Sequence, residues 1–291
     1  GSSSHGPTQG GRRKPDISAP GSSIMSANFS WEGAGDNYVN KSGTSMAAPH
    51  ITGAALLLCD VGVTDPREVK ALLINTADDW GAAGWDSTYG WGYVNLAQAY
   101  LHRADSGLYD INESALSGDY KLFKTTGMDA GEKATVAWYR HAVYNGASNP
   151  TTVYSLNDLN LRLYDESNNS LIDSDVSSVD NVHQVVSDRS GTQVIRAYAW
   201  TSNFSHGSNF ERVALAYQDG TTLSNGPTVT PVGFSYTPPL YAKFDVSVRV
   251  DNLGDVAAHN ASVTLALPAG VILANGSLTQ SLGTIAAGSS V

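Results

Sequence analysis

An α/β unit followed by two all-β units is the fold class this sequence predicts. Three observations predict it. Residues 44–58 are small or apolar on every side of a helix. Between Asp105 and Asp219, short runs alternate with period two and are separated by polar turns. After a stretch rich in Gly, Pro, Ser and Thr at 219–231, the alternation resumes at Val246, Val248 and Val250. The boundaries fall at 1–104, 105–219 and 220–291.

The first unit centres on "SGTSMAAPHI", Ser42 to Ile51. Gly43 tolerates unusual dihedrals and lets another backbone approach closely. Pro49 has no amide proton, which fits the first turn of a helix. A helix is therefore predicted from Thr44 or Ser45 to about Leu58. Being apolar all round, it reads as a buried central helix. Ser45 then sits at the positive end of that helix, where outward-pointing amides favour an anion. That placement suits a nucleophile whose attack creates an oxyanion. The plainer alternative is that Ser45 or Thr44 only caps the helix. A second helix is predicted over "DPREVKALLINTA", Asp65 to Ala77. Asp65 is its N-cap and Pro66 its first residue, and Val69, Leu72, Leu73 and Thr76 share a face.

The segment Gly43-Thr44-Ser45-Met46-Ala47-Ala48-Pro49-His50, with "KPDISAPG" (Lys14 to Gly21) upstream, resembles the nucleophile region of the subtilisin-like serine endopeptidases. The resemblance covers roughly residues 1–103, and "YGWGYVNLAQAY" (Tyr89 to Tyr100) looks like that family's closing turn and last helix. It implies a subtilisin-like α/β domain represented by its C-terminal part. Ser45 would be the nucleophile, with Gly43, Thr44 and Pro49 supporting the motif. In the family a His is the base and an Asp orients it. The histidines here are His5, His50, His102, His141, His183, His206 and His259, and none lies in a His-Gly-Thr-His segment. The triad Asp and His and the oxyanion-hole Asn are expected upstream of residue 1, in a longer secreted protease. A segment with the nucleophile and no base is expected to be inactive alone.

Composition agrees with an extracellular setting. The chain has 291 residues, enough for two or three domains, and a net charge of −10 from 17 basic and 27 acidic residues. That balance argues against nucleic acid as a partner. No apolar run reaches the ~18 residues of a membrane span. Cys59, the single cysteine, reads as a small buried hydrophobe on the first helix.

In the second unit, Leu159, Leu161 and Leu163 alternate with polar neighbours, as do runs at 194–200 and 213–217. This reads as a β-sandwich, with "LYDINESALSGD" (Leu108 to Asp119) as the link into it. The run order resembles the jelly-roll domains that follow the catalytic domain in secreted subtilases, including the prepeptidase C-terminal domains. Several of those relatives bind calcium, which prefers oxygen ligands. The candidates here are Asp158, Asn160, Asp173, Asp175 and Asp180. Asn160 stands where those relatives usually carry Asp, and the plainer reading is that these groups solvate turn tips. The third unit, with Val263, Leu265 and Leu267 in its second half, resembles the Ig-like stalk repeats of surface proteins and reads as truncated.

Two functions are therefore expected. The first is a serine endopeptidase acting on proteins or peptides, secreted or held at a cell surface by its β-units, with calcium as a candidate ion and no cofactor required for catalysis. The second is a non-catalytic secreted binding or surface protein with a degenerate protease segment.

Overall fold

The computed structural model describes residues 3–29, 37–112, 120–146, 148–200, 204–218, 221–224, 226–227, 229–237, 245–267, 272 and 275–291. The elements run β1 (Ile24–Ala27), β2 (Tyr38–Lys41), α1 (Thr44–Asp60), α2 (Pro66–Asn75), α3 (Leu96–Leu101), β3 (Ser106–Asn112), β4 (Tyr120–Thr125), β5 (Lys133–Ala137), β6 (Ala142–Val143), β7 (Thr152–Val153), β8 (Leu159–Asp165), β9 (Leu171–Asp175), β10 (Val182–Val186), β11 (Gln193–Ala199), β12 (Phe210–Tyr217), β13 (Thr221–Ser224), β14 (Val229–Thr237), β15 (Asp245–Asn252), β16 (Ala258–Thr264) and β17 (Thr279–Ile285).

The middle of the chain is a two-sheet antiparallel sandwich. One sheet has the order β10-β5-β12-β3 and the other β13-β4-β11-β8-β9. The alternation read from the sequence sets which side chains face inward. Leu159, Leu161 and Leu163, Ile195, Ala197 and Ala199, and Val213, Leu215 and Tyr217 all enter one core with Trp138, Phe123 and Ile111. On β11 the opposite face carries Arg196, whose guanidinium lies over the rings of Tyr198 and Tyr120 at 4.5 and 5.1 Å.

Two stretches read as connections are strands. The start of the expected link, from Leu108, belongs to β3 (Ser106–Asn112), which pairs with β12, with Leu108 opposite Ala214. Its polar Asp110 and Asn112 obscure the pattern, while Ile111 is fully buried. Residues 113–119 of that link lie outside the described residues. Thr221–Ser224, read as linker, is β13 and adds an edge to β4. Asp219, Gly220, Asn225 and Thr228 of the same linker lie outside the described residues.

The first unit docks on the outer face of the β10-β5-β12-β3 sheet. Asp65 caps α2 by accepting from the Arg67 amide at 2.9 Å, with Pro66 in the first turn. Val69, Leu72 and Leu73 are buried as expected, and Ala71, Ile74 and Asn75 are buried too. The second set is covered by the sheet. Ala137, Val182, Ala214 and Ala216 project outward into one apolar cluster with α2, Leu58 and Trp91. Small residues on that face let the helix approach closely. Polar contacts close the seam. Thr135 Oγ1 donates to Asn75 Oδ1 at 2.9 Å, and Lys133 Nζ donates to the Ala77 carbonyl at 2.7 Å.

The C-terminal unit consists of two two-stranded sheets, β14-β15 and β16-β17. Val250, Ala258 and Ile285 form its small core. Asn252 Nδ2, buried, donates to the carbonyls of Val256 and Ile285 at 2.8 and 3.0 Å. Val263 lies in β16, and Leu265 and Leu267 follow it. No helix of the described residues is long and apolar enough to cross a membrane.

Candidate nucleophile site

Ser45 is the second residue of α1, and it is exposed. The chain reaches it through the β1-β2 hairpin, whose register sets Ile24 opposite Lys41. Two glycines then bring the "KPDISAPG" segment against the helix start. The Gly43 amide donates to the Gly21 carbonyl at 2.7 Å, and the Ser23 amide donates to Ser42 Oγ at 2.8 Å. A Cβ on Gly21 would stand 2.9 Å from the Gly43 carbonyl oxygen, so only glycine fits there. Gly43 has φ 149°, a conformation that L side chains rarely adopt. Both positions need their glycines for the turn that presents Ser45.

The amides of Met46 and Ala47 both donate to the Gly43 carbonyl, at 3.0 and 3.4 Å. The Thr44 and Ser45 amides precede the helical hydrogen-bond ladder and have no carbonyl of their own helix to meet. The first turn of α1 carries no acidic residue. The positive end of the helix is therefore uncompensated by its own side chains. Pro49 lies inside the helix, not in the first turn as expected. Its missing amide is the one that would bond the Ser45 carbonyl, four residues earlier.

The rest of the segment is braced from beneath. The Ser18 amide donates to the Gly92 carbonyl at 2.9 Å, and the Val94 amide to the Ser18 carbonyl at 2.8 Å. Gly90 and Gly92, in "YGWGY", have positive φ, and a Cβ on either would meet backbone oxygen within 2.5 Å. Lys14 and Lys70 both pair with Asp16.

The expectation of a fully buried helix is corrected. Ala54 and Leu58 are buried, Ile51 and Ala55 are half-buried, and Leu56 and Leu57 are 65% and 54% exposed. Cys59, expected inside, is exposed. α2 and α3 pack against one stripe of the helix, and the other stripe stays exposed among the described residues. His50 is also exposed, with Nδ1 2.8 Å from the Met46 carbonyl. Among the described residues no histidine hydrogen-bonds to Ser45.

The calcium candidates are mostly committed to protein partners. Arg13 Nη1 and Nη2 donate to the two oxygens of Asp175 at 2.6 and 2.9 Å. The Arg13 amide donates to Asp180 Oδ1 at 2.7 Å, and Ser177 Oγ to Asp180 Oδ2 at 2.7 Å. Asp173 accepts from the Val186 and Ser174 amides. His183 Nδ1 lies 2.9 Å from Asp175 Oδ1. Burial alone would raise the Asp175 carboxyl, but His183 and Arg13 hold it at about 2. Burial pushes the Asp158 carboxyl up. Asn160 is buried, and its Oδ1 has no hydrogen-bond partner among the described residues. Among the described residues no three of these carboxylates converge. The group that does converge is His141, His206 and Glu211. The sequence reading missed it, because its members are far apart in the chain and fit no spacing motif.

The subtilase family model matches residues 1–92. An extracellular serine protease of Serratia marcescens is 51% identical over 63 residues, covering 21% of this chain and 6% of that protein. Fervidolysin of Fervidobacterium pennivorans is 38% identical over 97 residues (28% of this chain, 14% of that protein). Serine protease AprX of Bacillus subtilis is 42% identical over 103 residues (32% and 23%). The matched parts span less than a quarter of each of these relatives. The crystal structure of fervidolysin aligns with 59% of this chain and 39% of its own, at 16% identity and a TM-score of 0.28, too low to argue from. The subtilase-family match at residues 1–92 falls within the first unit and covers less than half of the chain.

Proposed function

We propose that this chain carries the nucleophile of a serine endopeptidase acting on proteins or peptides. The observation that carries the reading is the placement of Ser45. It is exposed at the uncompensated N-terminus of α1, on a two-glycine turn braced by Gly21. In this reading Ser45 Oγ attacks a peptide carbonyl, and the oxyanion forms near the Thr44 and Ser45 amides. The proton of Ser45 passes to an imidazole supplied by residues beyond this sequence, and a carboxylate beyond it orients that imidazole. Those residues also cover the exposed stripe of α1 and the apolar groove of about 320 Å³ between Ile51, Ala55, Val69 and Leu73. The sandwich acts as a jelly-roll platform for the protease segment, and the C-terminal sheets form an Ig-like stalk. Relatives named as extracellular proteases, and an autotransporter lipoprotein of Neisseria meningitidis, favour secretion or a cell-surface position.

The test is peptide hydrolysis by the longer protein that contains this chain, with and without Ser45→Ala. The expected result is activity that falls by several orders of magnitude in the variant while its folding is unchanged. Equal activity in both proteins removes Ser45 from catalysis and leaves the non-catalytic surface-protein reading.

A further inference from the structure

One end of the sandwich gathers two histidines and a glutamate from separate parts of the chain. His141 lies between β5 and β6, His206 in the turn before β12, and Glu211 is the second residue of β12. His141 Nε2 is 2.9 and 3.1 Å from the two Glu211 oxygens. The His141 and His206 rings stack in parallel with centroids 3.7 Å apart. Asn157 Nδ2 donates to Glu211 Oε2 at 2.6 Å and lies 3.2 Å from His206 Nδ1. One donor atom from each of the three side chains lies within 4.8 Å of the other two.

The one ion-pairing partner of Glu211 among the described residues is His141, at 2.9 Å. Glu211 is fully buried, and its side-chain hydrogen-bond partners among the described residues are an imidazole and an amide, with no lysine or arginine among them. A divalent cation would neutralise the carboxylate and use a lone pair of each neutral ring.

We propose that His141, His206 and Glu211 form a binding site for a zinc-class transition metal, with Asn157 holding the carboxylate in place. The donor set decides the ion. Two imidazole nitrogens and one carboxylate suit zinc, whereas calcium takes oxygen ligands. Zinc bonds of about 2.0–2.1 Å set tetrahedral donors roughly 3.3 Å apart. The His141–Glu211 pair, at 2.9–3.1 Å, is close to that separation, and ion binding requires the His206 ring to turn out of its parallel stack on His141 so that both in-plane lone pairs meet the metal. Both histidines are part-exposed, which provides an entry path. Three protein ligands leave a fourth position for water or an exogenous group. Bound metal would pin the β6-β7 hairpin and the turn before β12 to the end of the sandwich. The site is independent of Ser45 and stands whether or not the protease reading holds.

Zinc titrated into the purified chain by calorimetry tests this, with cobalt(II) spectra on the same protein. One zinc per chain is expected, with millimolar calcium failing to compete. His141→Ala and His206→Ala should each weaken zinc by more than the roughly 10- to 100-fold that losing a ligand's hydrogen-bond partner costs. His5→Ala should not change it. Cobalt(II) bound to the unmutated chain should give the intense visible bands of a four-coordinate site, a readout independent of how any variant folds. No zinc uptake, equal uptake by both variants, or the pale spectrum of six-coordinate cobalt overturns the proposal.

Discussion

Arg13 joins the N-terminal arm to the sandwich through two carboxylates, and its chemistry makes the joint pH-dependent. Asp175, which Arg13 grips with both Nη1 and Nη2, resists the upward push of its burial and is held at about 2, below the ordinary 3.8, by His183 and then by Arg13. A depressed carboxyl contributes stability that is fully present above its unfolded pKa and is lost as pH falls through the folded one. The window here runs from about pH 4 down to about pH 2, and the shift corresponds to about 2 kcal/mol. Asp175→Asn leaves Arg13 half-buried without its main partner. It should cost on the order of 2–4 kcal/mol at pH 7. It should also flatten the pH dependence below pH 4. Urea unfolding at pH 7 and pH 3 measures both. An unchanged midpoint at pH 7 would remove the Arg13 joint from the account.

Residues were legible in the sequence to the degree that their chemistry is local. Ser45 and Gly43 sit in one contiguous motif, and the Asp65–Pro66 cap needs only adjacent residues. Arg13 meets Asp175 across a separation of 162 residues, and His141 meets Glu211 across 70. No spacing rule reaches that far. Asp175 and Asp180 looked like calcium ligands because carboxylates near strand ends look alike until their partners are known.

At the scale of elements, α2 and the outer face of β12 make the interface on which the first unit rests. Ala214 and Ala216 are fully buried there. Ala216→Leu adds bulk to a closed seam and should destabilise by about 1–3 kcal/mol. Leu72→Ala opens a cavity and should cost about 2–5 kcal/mol. Thermal unfolding of both variants checks the pair, and losses under 0.5 kcal/mol in both would show that the seam is loose. On α1 the expectation runs the other way. Leu56 is exposed, so Leu56→Glu should change the stability of this chain by no more than about 0.5 kcal/mol. The same substitution in the longer protein should be strongly destabilising if upstream residues cover that stripe. Equal effects in both contexts would mean that the stripe stays open to solvent. The pattern of α1 announced a helix apolar all round, and the structure covers one side of it. A hydrophobic pattern reports how many partners a helix is built for, and it does not say which of them lie in the same stretch of sequence.

At the scale of the whole molecule, the boundary at residue 104 separates secondary elements without separating cores. One apolar cluster runs from Leu58 and α2 through to Ala137, Val182, Ala214 and Ala216. The sandwich has its own interior on the other side of the same sheet. The alternating strands were readable because period-two burial is a local signal. The docking was not, because alanines on an outer sheet face look like ordinary surface positions until a helix is found on them. Calorimetry should record the first unit and the sandwich melting in one transition, and a separate early melt of residues 3–104 would contradict a shared core. The sandwich holds α2, and α2 in turn packs against α1, the helix that follows Gly43 and carries Ser45.

The most direct test of the central claim is where a fluorophosphonate probe attaches. This chain alone, without an imidazole against Ser45, should remain unlabelled. The longer protein should take up one probe per molecule, and peptide mapping should find it on Ser45 within "SGTSMAAPHI". Labelling at any other serine, or none in the longer protein while it hydrolyses peptides, would contradict the assignment of Ser45 as the nucleophile.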